Sequence, residues 1–444
     1  MKKYLAGKAW WLIALWVVGG VAFFKPWVHG VDPVGYYSWV HTVVIDGNLD
    51  TTNEYEFYDR DELGITISPG PTGLNRNPYA IGSAILWSPF FLTAHIISQA
   101  FHLPADGYAP LYVFAASIAS SFYALLGLWL SYRLARELFG ARSAMWATIG
   151  IWWATPLLFY MFGQPLMSHA NDAFANALFV FVWWRTRQPI TSRGAVLRGA
   201  ALGLAMLVRT QNVLLLLLPI SEVLMTWLTQ RRVDLRPWLK PMALLSLTTA
   251  LVFAPQLIAW QQTFGAFWPG NPYAIAHGDS FDPASPHYFD VLLSSARGLF
   301  VWSPLILFAI IGLFIFVVRA QRTLGVGLIV VWLAQIYLIG GWSSWSGAAS
   351  FGQRFMINGT ITYVLGLAAL LAWLQTKISW KLLGTAIVFF IVWNLLLLAQ
   401  YITELLPRAG YVDVGQMITG QVRVIGAVLE RLNQLLEIRF GRER

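Results

Sequence analysis

Long apolar runs constrain this chain more than any other feature of its sequence. Residues 299 to 318, for example, contain no charged side chain and no alternation of polar and apolar residues. A run of about twenty apolar residues has the length of an α-helix that crosses the hydrocarbon core of a bilayer. Because lipid offers no hydrogen-bond partners, such a helix must satisfy its own backbone groups. The sequence therefore predicts an all-α fold, a polytopic transmembrane helical bundle.

The composition agrees with a membrane protein and argues against a nucleic-acid binder. Hydrophobic residues make up 57% of the 444 residues and charged residues only 11%, whereas a soluble domain usually carries about 25% charged residues. The net charge of +9 lies in short Lys and Arg clusters between the apolar runs, where it acts as a topology signal. The chain has no Cys, which excludes disulfides and thiolate metal sites.

Eleven segments are interpreted as membrane spans. The first is a retained span and not a signal peptide, because it is rich in Trp and no small-x-small cleavage site follows it. The spans are 9–24, 110–132, 143–161, 168–184, 195–208, 211–229, 241–262, 299–318, 323–340, 355–375 and 382–400.

The segment 79–101 is long enough to span, but we predict that it lies along the membrane surface. If it crossed, every later basic loop would face outward, against the positive-inside rule. If it does not cross, the N-terminus is cytoplasmic, together with Lys2, Lys3 and Lys8. Five basic residues then face outward: Lys25, Arg60, Arg76, Arg297 and Arg354. Fifteen further basic residues then face the cytoplasm: Arg133, Arg136, Arg142, Arg185, Arg187, Arg193, Arg198, Arg231, Arg232, Arg236, Lys240, Arg319, Arg322, Lys377 and Lys381.

The hairpin 195–229 is the part of this topology whose length is closest to too short for two membrane spans. Its first arm, 195–208, would be only ~20 Å long at the rise of an α-helix. Arg209 would lie at the outward tip of the hairpin.

Three outward segments are longer than plain connectors: 25–109, 263–298 and 341–354. Loops of that length are usually functional or disordered. In the first of them, Asp32 and Pro33 have the residue types of a helix N-cap and first turn. We predict an amphipathic helix that starts there, lies on the membrane and ends at Asp46-Gly47-Asn48, with Tyr37, Val40 and Val44 at helical spacing.

The chain divides into a transmembrane domain over residues 1–400, which includes the first outward loop 25–109, and a tail over residues 401–444. Apolar residues in the tail recur at alternating spacings of four and three. This a/d seam is typical of a packed or interfacial amphipathic helix, and it comprises Ile418, Val422, Ile425, Leu429, Leu432 and Leu436.

Seven short motifs stand out within roughly residues 1–400. They are Asp32-Pro33-Val34-Gly35-Tyr36-Tyr37, Asn77-Pro78-Tyr79-Ala80-Ile81-Gly82, 133–140, Met167-Ser168-His169-Ala170, 294–304, Trp345-Ser346-Gly347 and 350–355. In order and spacing they resemble the GT-C glycosyltransferases, in particular bacterial family 39 and related membrane enzymes that use polyprenyl-phosphate sugars. The chain departs from many family 39 members at the head of the first loop, where they carry an acidic pair and Pro33 follows Asp32 here.

The resemblance implies transfer of a sugar from a polyprenyl-phosphate donor to a lipid, glycan or protein acceptor on the outward side of the cytoplasmic membrane. Such a transfer needs a base for the acceptor hydroxyl and positive charge at the departing phosphate. Asp32 is the predicted general base, because the family carries an essential acidic residue at the head of this helix. The alternative is that Asp32 only caps the helix.

Three arginines are candidates for binding the donor phosphate. Arg297 and Arg354 lie at the outward ends of spans, and a guanidinium group suits bidentate phosphate binding. The alternative is that each arginine anchors its span by extending its charged end to the membrane interface. Arg209 lies between two apolar arms, where a charge indicates function, unless its side chain reaches water.

His169 and Asp172 lie three residues apart at the outward start of a span, so their side chains share a helix face. They are candidates for binding the acceptor or a metal ion, and helix capping is the alternative, because two ligands do not make a metal site.

No cofactor is assigned, and a divalent cation is left open. An acidic run in the first loop offers ligands for one, although such a run is typical of a solvated loop. The run comprises Glu54, Glu56, Asp59, Asp61 and Glu62, and His287 with Asp290 in the second loop is similar.

Two other functions remain open from the sequence. A flippase or transporter of lipid-linked sugars would be a membrane protein but would need a polar path through the bilayer, and the spans hold few ionisable residues at midplane depth. A structural subunit of a larger complex is suggested by the seam in the tail. The partners expected for the leading hypothesis are a polyprenyl-phosphate sugar donor and membrane lipids.

Overall fold

The structure is a computed structural model that describes residues 9–59, 64–188, 191–230, 236–284 and 286–440. The side chains of residues 230–238 and 432–440 are not described. Several residues used in the sequence analysis therefore lie outside the described residues: Lys2, Lys3, Lys8, Arg60, Asp61, Glu62, Arg231 and Arg232, together with the side chains of Arg236, Leu432 and Leu436.

The described residues form helices joined by loops, which confirms the all-α prediction. A π-helix over Thr42–Asp46 and 3₁₀ helices over Thr210–Leu216 and Arg354–Gly359 supplement the α-helices. The α-helices are α1 (Trp10–Phe23), α2 (Val31–His41), α3 (Thr52–Asp59), α4 (Gly82–Ala100), α5 (Pro110–Phe139), α6 (Ala141–Trp153), α7 (Leu157–Phe162), α8 (His169–Thr186), α9 (Ser192–Val208), α10 (Leu217–Gln230), α11 (Arg236–Phe264), α12 (Pro272–His277), α13 (Tyr288–Leu293), α14 (Leu299–Trp302), α15 (Pro304–Arg319), α16 (Arg322–Gly340), α17 (Thr360–Leu374), α18 (Trp380–Ile402) and α19 (Val414–Phe440).

Each of the eleven predicted spans falls on helical structure, and the first arm of the uncertain hairpin, α9, begins three residues earlier than predicted. The helices α1 and α15 are apolar but shorter than a typical span. Six helical segments among the described residues are long and apolar enough to cross a membrane: Pro110–Phe139, Thr210–Thr229, Leu239–Phe264, Arg322–Gly340, Arg354–Leu374 and Trp380–Ile402.

Small residues allow α15 and α17 to pack closely, as membrane helices commonly do. A Cβ atom on Gly312 would lie 1.9 Å from the carbonyl oxygen of Gly366, and one on Gly366 would lie 2.1 Å from that of Ala309. This contact leaves no room for a side chain. It fixes α17, which continues the 3₁₀ helix that begins with Arg354 and Phe355.

The basic turns gather at one end of the bundle, which we call the basic end. Arg185 at the end of α8 pairs with Glu137 at the end of α5, with 2.5 Å between Nη2 and Oε2. Arg319 at the end of α15 and Lys377 just before α18 both lie over the ring of Trp373. Turns that are far apart in the sequence therefore meet, as the positive-inside ordering predicts.

Helix α4 has both of its ends at the opposite end of the bundle, which we call the loop end. It begins at Gly82, whose Cα is packed against the backbone of Leu207 in the last turn of α9. After α4, Gly107 accepts a hydrogen bond from Tyr37 of α2, with 2.6 Å between the oxygens. That 79–101 does not cross the membrane stays a prediction.

The predicted helix at the head of the first loop is present, but it neither starts at Asp32 nor lies on a lipid surface. Its N-cap is Gly30, and Asp32 makes no capping hydrogen bond. Every residue from Pro33 to His41 is buried, because α3, α4 and the loop 101–109 cover the helix on its polar face as well. The helix ends at Gly47 in the left-handed region (φ 66°) after the π-helix, as predicted.

The C-terminal helix α19 packs back on α18, where Gly420 lies against the side chain of Gln400 and Met417 is buried. The predicted seam faces away from this contact. Its members Ile418, Val422 and Ile425 are 55%, 75% and 54% exposed, which fits an interfacial helix.

Candidate active site

The three long loops meet at one cavity of about 660 Å³ at the loop end. The first loop contributes Asp32, Tyr36 and Tyr79. The second loop contributes Trp268, Asn271, Tyr273, His277 and Asp279, and the third contributes Trp342, Ser344 and Gly347. His169, Arg209, Arg354 and Phe355 line it from the ends of spans. Four of the six site residues predicted from the sequence therefore line a single cavity, and Asp172 lies directly behind it.

Asp32 is held at the wall of the cavity by two partners on opposite sides. Its Oδ2 pairs with Nη1 of Arg354 at 2.7 Å, and its Oδ1 accepts a hydrogen bond from the hydroxyl of Tyr79 at 2.7 Å. The Asp32 side chain is 28% exposed and that of Arg354 is 15% exposed. Both charges are thus largely withdrawn from water but face the cavity.

The surroundings of Asp32 favour its ionised form. Burial raises the pKa of the carboxyl, but the Arg354 guanidinium and the hydrogen bond from Tyr79 more than offset this, and the net effect is a lowered pKa. Asp32 is therefore a carboxylate at neutral pH. It has the protonation state that a proton acceptor needs.

Asp32 owes its position to the packing of α2 against the Asn77-Pro78-Tyr79 segment. Asn77 donates to the carbonyl oxygen of Gly35 at 2.8 Å, and Tyr79 lies directly over Gly35, where a Cβ atom would be 1.9 Å from the ring. The indole of Trp39 donates to the carbonyl of Tyr79 at 2.7 Å. A glycine at position 35 is thus required for Tyr79 to reach Asp32.

A second charged group lies where α8 meets the junction between α9 and the following 3₁₀ helix. Arg209 Nη1 donates to His169 Nδ1 at 3.1 Å, and its Nε lies 3.7 Å from Oδ2 of Asp172. Since Arg only donates, Nδ1 of His169 must accept, and this histidine is neutral. Asn176 and Asn212 donate to Oδ1 of Asp172 at 2.8 and 2.6 Å.

This arrangement bears on the alternatives for His169 and Asp172. The N-cap of α8 is Ser168, without a side-chain capping bond, so capping does not account for either residue. Asp172 is occupied by two amides and an arginine, which places it behind Arg209 as its anchor. His169 is buried at the wall of the cavity.

Arg209 and Arg354 are brought together by Phe355. The guanidinium carbon of Arg209 lies 5.2 Å from the centre of the Phe355 ring, and that of Arg354 lies 5.1 Å from it. Nε of Arg354 is buried and has no hydrogen-bond partner among the described residues. Two positive charges at the cavity wall suit an anionic ligand such as a phosphate.

Arg297 is the predicted phosphate-binding residue that the structure does not bring to the cavity. It is fully buried and lies over the ring of Trp302. Its Nε donates to the carbonyl oxygen of Ser350 at 2.5 Å, and Nη2 donates to those of Arg408 and Pro407 at 2.5 and 3.2 Å. All of these acceptors are backbone groups, so Arg297 ties the third loop to the segment after α18.

The acidic residues offered above as cation ligands, where the structure describes them, do not line the cavity. Glu56 is exposed, Asp59 accepts from the backbone N–H of Ile65, and His287 pairs with Asp290 at 2.9 Å on the surface. Glu54 differs from the other described members of the run in that it is fully buried.

Tyr79 is the site residue that sequence reasoning missed. The Asn77-Pro78-Tyr79 motif that contains it was noticed, but tyrosine is common in membrane proteins and nothing in the spacing indicates that its hydroxyl reaches Asp32. Tyr36 and Tyr273 also line the cavity. Nothing in the sequence predicted their position there.

No protein-family model matches this chain, and no curated protein matches it either. Solved structures do resemble it. The apo structure of ArnT from Cupriavidus metallidurans matches with a TM-score of 0.54 and 17% identity, over 97% of this chain and 72% of ArnT. The structure of the same ArnT bound to undecaprenyl phosphate matches with a TM-score of 0.54 and 16% identity, over 98% of this chain and 73% of ArnT.

A third solved structure is the archaeal oligosaccharyltransferase AglB from Archaeoglobus fulgidus, in complex with an inhibitory peptide and a dolichol-phosphate. It matches with a TM-score of 0.46 and 13% identity, over 94% of this chain and 54% of AglB. The two ArnT matches cover nearly the whole chain. The chain therefore shares the fold of ArnT.

Proposed function

We propose that this protein is a glycosyltransferase of the cytoplasmic membrane that takes a sugar from a polyprenyl-phosphate donor. The observation that carries the proposal is the cavity at the loop end, in which a carboxylate faces two arginines. The GT-C fold and the undecaprenyl phosphate bound to ArnT support the same class of donor. The positive-inside rule puts the basic end in the cytoplasm, so the cavity faces outward.

The two arginines have the position and charge to hold the donor phosphate. When the bond between the anomeric carbon and the phosphate oxygen breaks, the departing polyprenyl phosphate gains a second negative charge. Arg354 and Arg209 stabilise that charge in a site mostly withdrawn from water, where charges interact more strongly than in bulk water. Arg297 takes no part, because backbone carbonyls occupy its guanidinium group.

Asp32 is the proposed general base. It accepts the proton of the acceptor hydroxyl while the hydroxyl oxygen forms its bond to the anomeric carbon. The ion pair with Arg354 competes with this role, because it lowers the basicity of the carboxylate. A donor phosphate that draws Arg354 toward itself weakens the ion pair, and the base is thereby released only when the donor is bound.

The test is transfer by the purified protein in liposomes that contain polyprenyl-phosphate sugars with a radiolabelled sugar. Asp32→Asn keeps the shape of the side chain and the hydrogen bond from Tyr79, but it removes the base, and we expect transfer to fall by about 10² to 10⁴-fold. Asp290→Asn is the matched control, since Asp290 is an exposed carboxylate at the same end of the molecule, and it should transfer at the wild-type rate.

Both variants are first checked for a monodisperse elution profile and an unchanged thermal transition in detergent. Full transfer by a folded Asp32→Asn variant would refute the role of the base. Movement of the lipid-linked sugar across the liposome membrane with no transfer to any acceptor would instead indicate a transporter.

A further inference from the structure

A cluster of three ligand-type side chains lies in the first loop, away from the cavity. His41 ends α2, Asp46 ends the π-helix and Glu54 lies in the first turn of α3. His41 Nδ1 is 2.7 Å from Oε1 of Glu54 and 3.6 Å from Oδ2 of Asp46. One donor atom from each residue lies within 4.8 Å of the others. None of the three residues lines the cavity.

The orientation of the His41 ring is fixed by the loop that precedes α5. Its Nε2 lies 2.8 Å from the carbonyl oxygen of Asp106, and the ring stacks on Tyr108. A carbonyl oxygen can only accept, so Nε2 carries a hydrogen. Nδ1 then faces the two carboxylates either with a second proton or with a free lone pair. A backbone carbonyl on the far nitrogen is the usual support of a metal-binding histidine.

The burial of the cluster bears on whether Nδ1 of His41 carries a proton or offers its lone pair to a cation. His41 is 1% exposed and Glu54 is fully buried, and Oε2 of Glu54 has no hydrogen-bond partner among the described residues. A buried carboxylate oxygen without a partner is costly. A proton on Nδ1 satisfies only Oε1, whereas a divalent cation at this position neutralises the carboxylates and engages the lone pair of Nδ1.

We propose that His41, Asp46 and Glu54 bind a divalent cation of the zinc class. One imidazole and two carboxylates are ligands that Zn²⁺ accepts, with water as a fourth ligand. The Asp46 side chain is 24% exposed, which gives the ion and this water access from solvent. The ion would join α2, the π-helix, α3 and, through Asp106, the segment before α5, so its role is to fix the first loop and not to take part in sugar transfer.

The proposal is tested with full-length protein that is purified in detergent with a tag other than polyhistidine. After removal of metals with a chelator, titration with Zn²⁺ should show one saturable site, and titration with Co²⁺ should produce visible absorption bands from a nitrogen and oxygen ligand set. The chelator should lower the thermal transition, and Zn²⁺, but not Mg²⁺, should restore it. Absence of a saturable site in the wild-type protein would overturn the proposal.

Glu54→Gln removes one ligand while leaving the size of the side chain unchanged. We expect its Zn²⁺ affinity to fall by at least about 100-fold, the upper range for loss of a supporting group. Glu56→Gln, an exposed position on the same helix, is the matched control and should bind like wild type. Equal affinity in Glu54→Gln would contradict the assignment. If that variant does not fold, the effect of chelation on the wild-type transition still decides.

Discussion

The Asp32 carboxylate has one charged partner, Arg354, and one neutral partner, Tyr79. Arg354 lowers its pKa through charge, and Tyr79 lowers it through a hydrogen bond to the ionised form. A carboxyl group with a lowered pKa in the folded protein contributes stability above its unfolded pKa, and this contribution is lost as the pH falls through the folded pKa. Activity that depends on the carboxylate is lost on the same acidic side.

The variant Tyr79→Phe separates the two contributions. It removes the hydrogen bond but keeps the ring over Gly35, so the pKa of Asp32 rises and the acidic limb of the pH profile of transfer moves to higher pH. The free energy of unfolding should fall by about 1.5–3 kcal/mol, as expected for a hydrogen bond to a charged group.

Tyr58→Phe is the control for that experiment, because the Tyr58 hydroxyl is buried without a partner among the described residues. It removes the same atom elsewhere in the first loop, and its pH profile should match the wild type. An unshifted acidic limb in Tyr79→Phe would show that Asp32 does not set it.

The sequence indicated candidate charged residues more readily than where their side chains point. Arg354 and Arg297 were both predicted because they lie at outward ends of spans and a guanidinium group suits phosphate. Arg354 lines the cavity, whereas the hydrogen bonds of Arg297 go to backbone carbonyls. The difference depends on the loop after α18, more than one hundred residues away, and no local pattern in the sequence reveals that contact.

At the scale of elements, the contact between α2 and the Asn77-Pro78-Tyr79 segment sets the geometry of the site. Gly35→Ala should displace Tyr79, since the new Cβ atom would overlap its ring. Overpacking of this kind typically costs about 1–3 kcal/mol, and displacement of a positioning group by about 1 Å can lower a rate by about 10²-fold.

The stability and transfer rate of Gly35→Ala can be compared with those of Gly426→Ala in α19. A Cβ atom at Gly426 meets nothing within 4 Å, so this control should be neutral or slightly stabilising. Wild-type activity in Gly35→Ala would mean that Tyr79 can shift without disturbing Asp32.

The elements themselves were largely predictable, because hydrophobic length and charge distribution govern membrane helices. All eleven predicted spans fall on helices, including α9 and α10 on either side of Arg209. The burial of α2 was not predictable from its own sequence. The predicted amphipathic helix should have a polar face, but Ser38 donates to the carbonyl of Val34, and His41 contacts Glu54 and Asp106.

At the scale of the whole molecule, the basic end and the loop end predict which positions face each side of the membrane. Because the chain has no Cys, a single introduced cysteine reports its own location. Asn53→Cys before α4 and Ala105→Cys after it should both react with a membrane-impermeant maleimide in intact cells. Thr376→Cys at the basic end should react only after the membrane is opened.

All three positions are exposed, so the difference in labelling measures sidedness and not burial. Labelling of residues 53 and 105 from opposite sides would show that α4 crosses the membrane. The number of spans and the location of the cavity would then both have to be revised.

The ion pair between Asp32 and Arg354 joins the first loop to the last one before α17. During synthesis Asp32 leaves the ribosome early, and Arg354 follows only after most of the spans have been inserted. A partly translated chain has the carboxylate but lacks one of the two arginines that would receive the donor. On the proposed function, competence to bind the donor therefore arises late in biogenesis, once the bundle is nearly complete.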